Sequence, residues 1–124
     1  MDIYSENIME HYRYPINIGK LENENVSYKD SNPLCGDNIE VSLLIDNDKI
    51  TDIKYISEGC AISRASSSII SEKIKGMNLK DVLVLNKDFV LDSIGIQLNP
   101  IRLKCAMLSL RAIQKAVTKY LGEN

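Results

Sequence analysis

The strongest constraint on this chain is a change of period at Gly59. Before it, Ile39, Val41, Leu43 and Ile45 alternate with Glu40 and Ser42, the two-residue repeat of a strand with one buried face. Asp46-Asn47-Asp48-Lys49 is turn chemistry. The stretch from Ile50 to Ser57 then returns with Ile53 and Tyr55 on one side, so the two runs read as an antiparallel meander. Val26 to Tyr28 starts a first strand that runs toward Cys35. After Gly59, Ile62, Ala65 and Ile69 recur at helical spacing, with Ile74 near the end and Gly76 closing the helix. The segment from Leu79 to Leu85 suggests a short helix, and Asp88 is a candidate cap for another from Phe89 to Gln97. Leu103, Ala106, Met107, Leu110, Ile113, Val117 and Leu121 form one apolar stripe along a last helix. Arg102, Lys104, Arg111, Lys115 and Lys119 fall mostly off it. At the other end, Ile3 to Tyr12 forms a short helix that stops before Pro15, and Ile16 to Asn25 is polar loop. Strands first and helices afterwards predict an α+β sandwich: a small antiparallel β-sheet of about three strands with helices packed on one face.

Composition narrows the function classes. A chain of 124 residues is expected to be one domain, 1–124, with a real core. A net charge of -2, with no basic run, gives no reason to expect nucleic acid. No apolar stretch approaches the length of a membrane span, and Met1 to Glu6 lacks the regions of a signal peptide. The expected setting is cytoplasmic, where thiols stay reduced. The odd cysteine count, 3, also argues against a disulfide framework.

Those cysteines carry the chemistry. Asn32-Pro33-Leu34-Cys35-Gly36-Asp37 puts a thiol and a carboxylate two positions apart on a turn hinged by Gly36. Cys60 lies at a strand-to-helix junction after Gly59, and Cys105 lies near the start of the last helix, after Pro100. Positions at element ends can converge at one edge of a sandwich. Helix N-termini also favour thiolates. Three thiolates with one carboxylate make a four-coordinate, sulfur-rich metal set. The alternative is packing, since free cysteine is among the most buried residue types, and the spacing is not that of a zinc ribbon. Ser63, Ser66, Ser67 and Ser68 either cap and bond backbone or let the helix pack closely beneath the site, the reading favoured here. His11 reads as a surface or packing residue rather than a ligand.

Three motifs, in order, resemble the signatures of the U-type iron–sulfur cluster scaffolds, the family of IscU, SufU and the N-terminal domain of NifU. They are Asn32 to Asp37, Gly59-Cys60-Ala61-Ile62-Ser63 with Ala65-Ser66-Ser67-Ser68, and Arg102-Leu103-Lys104-Cys105. Ile8-Met9-Glu10-His11-Tyr12 with Pro15, Asn17 and Gly19 is similar to the family's opening helix. The resemblance implies a SufE/NifU-like sandwich that accepts sulfur from a cysteine desulfurase. It implies assembly of a cluster, typically [2Fe–2S], and its transfer to recipient apo iron–sulfur proteins. It also implies zinc or iron at Cys35, Asp37, Cys60 and Cys105.

Two departures bear on the branch. Lys104 stands where the IscU branch has histidine, which resembles the SufU branch, yet the segment between Cys60 and Cys105 is shorter than is usual there. Leu98-Asn99-Pro100-Ile101-Arg102 is a partial match to the motif that an Hsp70-type chaperone binds. Beside the scaffold stands a second function, a zinc-dependent sulfur relay in which Cys35 takes sulfur from a desulfurase. A closed structural zinc module is a third, disfavoured by the carboxylate. A protonated Lys104 does not ligate. Its expected role is to offset the negative charge of three thiolates and Asp37.

Overall fold

The computed structural model describes residues 6–123. Ile3, assigned above to the first helix, lies outside them. The elements follow the order α1 (Glu6–Arg13), β1 (Val26–Asn32), β2 (Asp37–Asp46), β3 (Lys49–Glu58), α2 (Ala61–Ile74), α3 (Leu79–Leu83), α4 (Lys87–Ile94) and α5 (Pro100–Glu123). The strands form one antiparallel 3-stranded sheet in the order β1-β2-β3, as the alternation predicts.

The β2–β3 turn is Asn47-Asp48, with φ of 52° and 60°. A two-residue hairpin needs positive φ at both positions to follow the strand twist, and Asn and Asp tolerate it. The register places Val41 opposite Tyr55 and Leu43 opposite Ile53, with an irregularity between Leu44 and Ile45. Ile39, Val41, Leu43, Ile45, Ile53 and Tyr55 are all buried, which defines the inner face. Against it lie α5, across β1 and β2, and α2, beside β3. Ile69, Ile70 and Ile74 of α2 and Leu110, Ile113 and Val117 of α5 complete the core.

The polar segment after α1 is irregular, as expected, but it pairs with the sheet edge. Gly19 N–H donates to the Tyr55 carbonyl at 2.9 Å, and Tyr55 N–H to the Asn17 carbonyl at 2.9 Å. An edge strand left bare would expose its backbone groups, and this segment covers part of β3.

Three expectations need correction. Asn86, not Asp88, caps α4: its side chain accepts the Asp88 N–H at 2.9 Å. The helix ends at Ile94 because Gly95 turns left-handed, with φ 81°, short of the predicted Gln97. The apolar stripe of α5 also stops before Leu121, which is 46% exposed. There Leu121 lines an open surface hollow with Asn47, Asp48, Leu79 and Leu83.

Candidate metal centre

The β1–β2 connection is built from its two closing residues. Asn32 ends β1 and Asp37 begins β2, and they face each other across the ladder. Between them the chain turns through Gly36 at φ 69°, a conformation that costs glycine little. The Asn32 carbonyl accepts the Cys35 N–H at 3.2 Å, and Asn32 Oδ1 accepts the Leu34 N–H at 3.2 Å. Cys35 is thereby held half-buried on a hinged turn.

Asp37 is 1% exposed. Its Oδ1 accepts the Cys60 N–H at 3.0 Å, which docks the start of α2 onto the start of β2. Gly59 makes that contact possible. A Cβ built on Gly59 would lie 2.2 Å from Asp37 Oδ1, far inside van der Waals contact. The other oxygen, Oδ2, is buried without a hydrogen-bond partner. A buried carboxylate oxygen left bare is costly unless a cation answers it.

Among the described residues, the ligand atoms of Cys35, Asp37 and Cys105 all lie within 4.8 Å of one another. Cys105 Sγ is 2.6 Å from Cys35 Sγ. Residues 70 positions apart are thus joined at one edge of the sandwich. The sulfur of Cys60 is not in this group. Cys60 is the N-cap of α2, its Sγ accepts the Ser63 N–H at 3.5 Å, and the residue is exposed. A cleft of about 70 Å³ beside it is lined by Ile8, Met9, Tyr12, Ile62 and Arg102. Larger surface hollows of about 460 and 550 Å³ lie elsewhere and contain no cysteine.

The expectation that helix ends ionise the thiols needs revising for Cys105. Burial pushes its thiol well above the ordinary range, and the Cys35 sulfur, the Asp37 carboxylate and the nearby Cys60 push it further. The physical reason is position. Cys105 lies in the second turn of α5, beyond the free N–H groups of the helix start. Anionic ligands crowded in this way give up their protons when a cation takes the protons' place. Soft thiolates with one oxygen donor suit zinc or iron, and the bare Asp37 Oδ2 fits the same need.

Lys104 is exposed and forms no ion pair among the described residues. His11 is not among the clustered ligand atoms, and its Nδ1 lies 2.7 Å from Ser68 Oγ. The serines of α2 bond backbone, the reading less favoured from sequence: Ser67 Oγ donates to the Ser63 carbonyl and Ser71 Oγ to the Ser68 carbonyl, each at 2.8 Å. Ser63, Ser66, Ser67, Ser68 and Ser71 are all buried. Ser68 Oγ accepts the Ile16 N–H, and Ser71 Oγ accepts from Asn17 Nδ2, each at 3.0 Å. They fasten the segment after α1 to α2. Asn32 and Gly59 also shape the centre. Asx-turn chemistry was a visible signal for the first, but the steric need for Gly59 exists only in three dimensions.

A three-stranded antiparallel sheet carrying helices on its inner face, with thiols and a buried carboxylate converging at one edge, defines a class: small thiolate-rich metal-handling domains. The chain belongs to the NifU-like N-terminal domain family, whose profile matches residues 3–124. It is 37% identical to the zinc-dependent sulfurtransferase SufU of Bacillus subtilis, across 98% of this chain and 94% of that protein. It is 30% identical to an iron–sulfur cluster assembly scaffold protein IscU of Archaeoglobus fulgidus, across 98% and 79%. Among solved structures it is similar to a candidate iron–sulfur cluster assembly scaffold for the SUF system of Fervidobacterium islandicum, with TM-score 0.78, 28% identity and coverage of 93% and 96%. The N-terminal part of a NifU-like protein from Brucella abortus shares the fold, with TM-score 0.81 at 21% identity over 98% and 96%.

Proposed function

We propose that this protein is an iron–sulfur cluster assembly scaffold. It accepts sulfur from a cysteine desulfurase, holds iron or zinc through Cys35, Asp37, Cys60 and Cys105, and passes a [2Fe–2S]-type cluster to recipient apo-proteins. The observation that carries the reading is the meeting of Cys35, Asp37 and Cys105, together with the buried Asp37 oxygen that has no partner. Cys60 completes the set by turning its sulfur off the α2 N-terminus. Asp37, fixed through Oδ1 by the Cys60 N–H, presents Oδ2. A bound metal supplies the positive charge that keeps the thiols ionised. One oxygen among sulfur donors makes a cluster easier to release than an all-thiolate set does.

Sulfur enters at Cys35, whose turn lets it move outward. The Cys35 thiolate attacks the outer sulfur of the donor's persulfide. A new S–S bond forms on Cys35, the donor's S–S bond breaks, and the donor cysteine leaves as thiolate, with no net oxidation. Lys104 supplies a screened positive charge at the rim. The exposed Ile101, in the partial chaperone motif at the start of α5, is open to an Hsp70-type partner. Three free cysteines suit a cytoplasmic setting, and no described helix is long and apolar enough to cross a membrane.

A second reading, zinc-dependent sulfur relay, is supported by the full-length similarity to SufU. Anaerobic reconstitution with iron, cysteine and a desulfurase separates the two. A stable thiolate-to-iron charge-transfer spectrum is the scaffold outcome. Desulfurase stimulation with zinc retained and no cluster is the relay outcome.

A further inference from the structure

The three sulfurs are not supported alike. Cys60 Sγ accepts a backbone N–H, from Ser63 at 3.5 Å. Cys105 faces the Cys35 sulfur and the Asp37 carboxylate, and neither offers an N–H. Cys35 Sγ accepts from a side chain, Asn32 Nδ2, at 3.6 Å. Asn32 is 4% exposed, and both ends of its carboxamide are used. Because the Leu34 N–H needs an acceptor, Oδ1 belongs on that side, and the NH2 group is left facing the sulfur. The backbone carbonyl of the same residue takes the Cys35 N–H. One buried residue therefore shapes the turn, holds the cysteine backbone and donates to the cysteine sulfur.

We propose that Asn32 is a positioning residue for Cys35, whose carboxamide N–H···S bond sets how nucleophilic that sulfur is and keeps it docked in the site. The proposal rests on the reading of Cys35 as metal ligand and sulfur acceptor. A donor bonded to a thiolate draws charge from the sulfur and orients it. Losing the donor leaves a more reactive and less directed Cys35. A role confined to turn shape predicts otherwise. Serine at position 32 keeps a hydroxyl acceptor for the Leu34 N–H but has no amide to reach the sulfur.

The test has two arms. Nitrogen-labelled protein loaded with an NMR-active cadmium isotope is expected to show scalar coupling between the metal and the Asn32 Nδ2 protons, transmitted through Cys35 sulfur. This arm uses the parent protein, so it does not depend on a variant folding. In the zinc-loaded protein, Asn32→Ser and Asn32→Ala are both expected to raise iodoacetamide alkylation of Cys35 by about threefold or more, the scale of one hydrogen bond. Alkylation of Cys60, located by mass spectrometry, should stay unchanged. Absent coupling overturns the proposal, as does an Asn32→Ser protein that alkylates like the parent. The site reading is checked separately with Cys35→Ser. An unmoved cadmium resonance there removes Cys35 as a ligand. A moved resonance with parent-like alkylation in the Asn32→Ser variant sinks only the Asn32 role.

Discussion

At the residue scale, the centre depends on an absence. Asp37 lies against the Gly59 backbone, where a Cβ would sit 2.2 Å from Oδ1 and 2.8 Å from Cγ. Strand ends do not tolerate that overlap, so Gly59→Ala must push the carboxylate aside and break its bond to the Cys60 N–H. Zinc affinity is expected to fall at least about tenfold, which is ~1.4 kcal/mol, in a chain that still folds. Competition with a chromophoric chelator measures it, and parent-like affinity would show that Asp37 does not need this backbone approach. Lys104 is the contrasting case. It is exposed beside a buried ligand, and water and salt screen such a charge. Lys104→Met should therefore lower zinc affinity by no more than about threefold, an effect that fades as salt rises. A larger loss would mean that lysine contacts the ligands directly.

At the element scale, β3 packs beside α2, with the buried Tyr55 phenol near Ser68 and Arg64. Burial pushes the Tyr55 phenol up from its ordinary value of 10.0, opposed in part by the Ser68 hydroxyl and the Arg64 charge. The folded state thus holds that proton more tightly than the unfolded chain. Between the unfolded and folded values the unfolded chain binds fewer protons, so stability falls as pH rises. The contribution is fully present below about pH 10 and is lost above it. Tyr55→Phe should flatten the alkaline fall of stability, read by urea unfolding at several pH values from neutral upward. Parallel slopes in parent and variant would clear Tyr55 of that role. The same paired elements fasten the segment after α1, through Ser68 and Ser71, so its order and that of the α2 face are coupled.

At the scale of the molecule, a metal held by the proposed ligand set would join four places in the chain: the β1–β2 turn, the start of β2, the start of α2 and the second turn of α5. A ligand that binds only the folded state stabilises it by mass action, about 4 kcal/mol at a thousandfold excess over Kd. Chelation should therefore lower Tm by on the order of 10–20 °C at this chain length. Calorimetry with and without a strong chelator tests this, and unchanged melting would mean that the ligands do not bridge the elements. The metal-free protein should keep its sheet, because Val41, Leu43, Ile69 and Ile113 belong to a continuous buried apolar core that needs no metal.

The local periods were legible in the residues alone. Alternation from Ile39 to Ile45 and helical spacing from Ile62 onward report backbone geometry, which neighbouring residues largely dictate. The cysteine motifs were legible too, because their order and flanking residues are specific. Helix ends were less so: Asn86 and Asp88 are both good caps, and the choice between them is settled by which side chain reaches an N–H. Tertiary structure alone decided the rest. It buried Cys105 and bared Asp37 Oδ2, left the Cys60 sulfur on a helix cap, and turned the Asn32 amide onto Cys35. These are facts about distances between residues far apart in the chain or folded back across a turn. No local period encodes such distances, because they arise only when the sheet and helices close on one another.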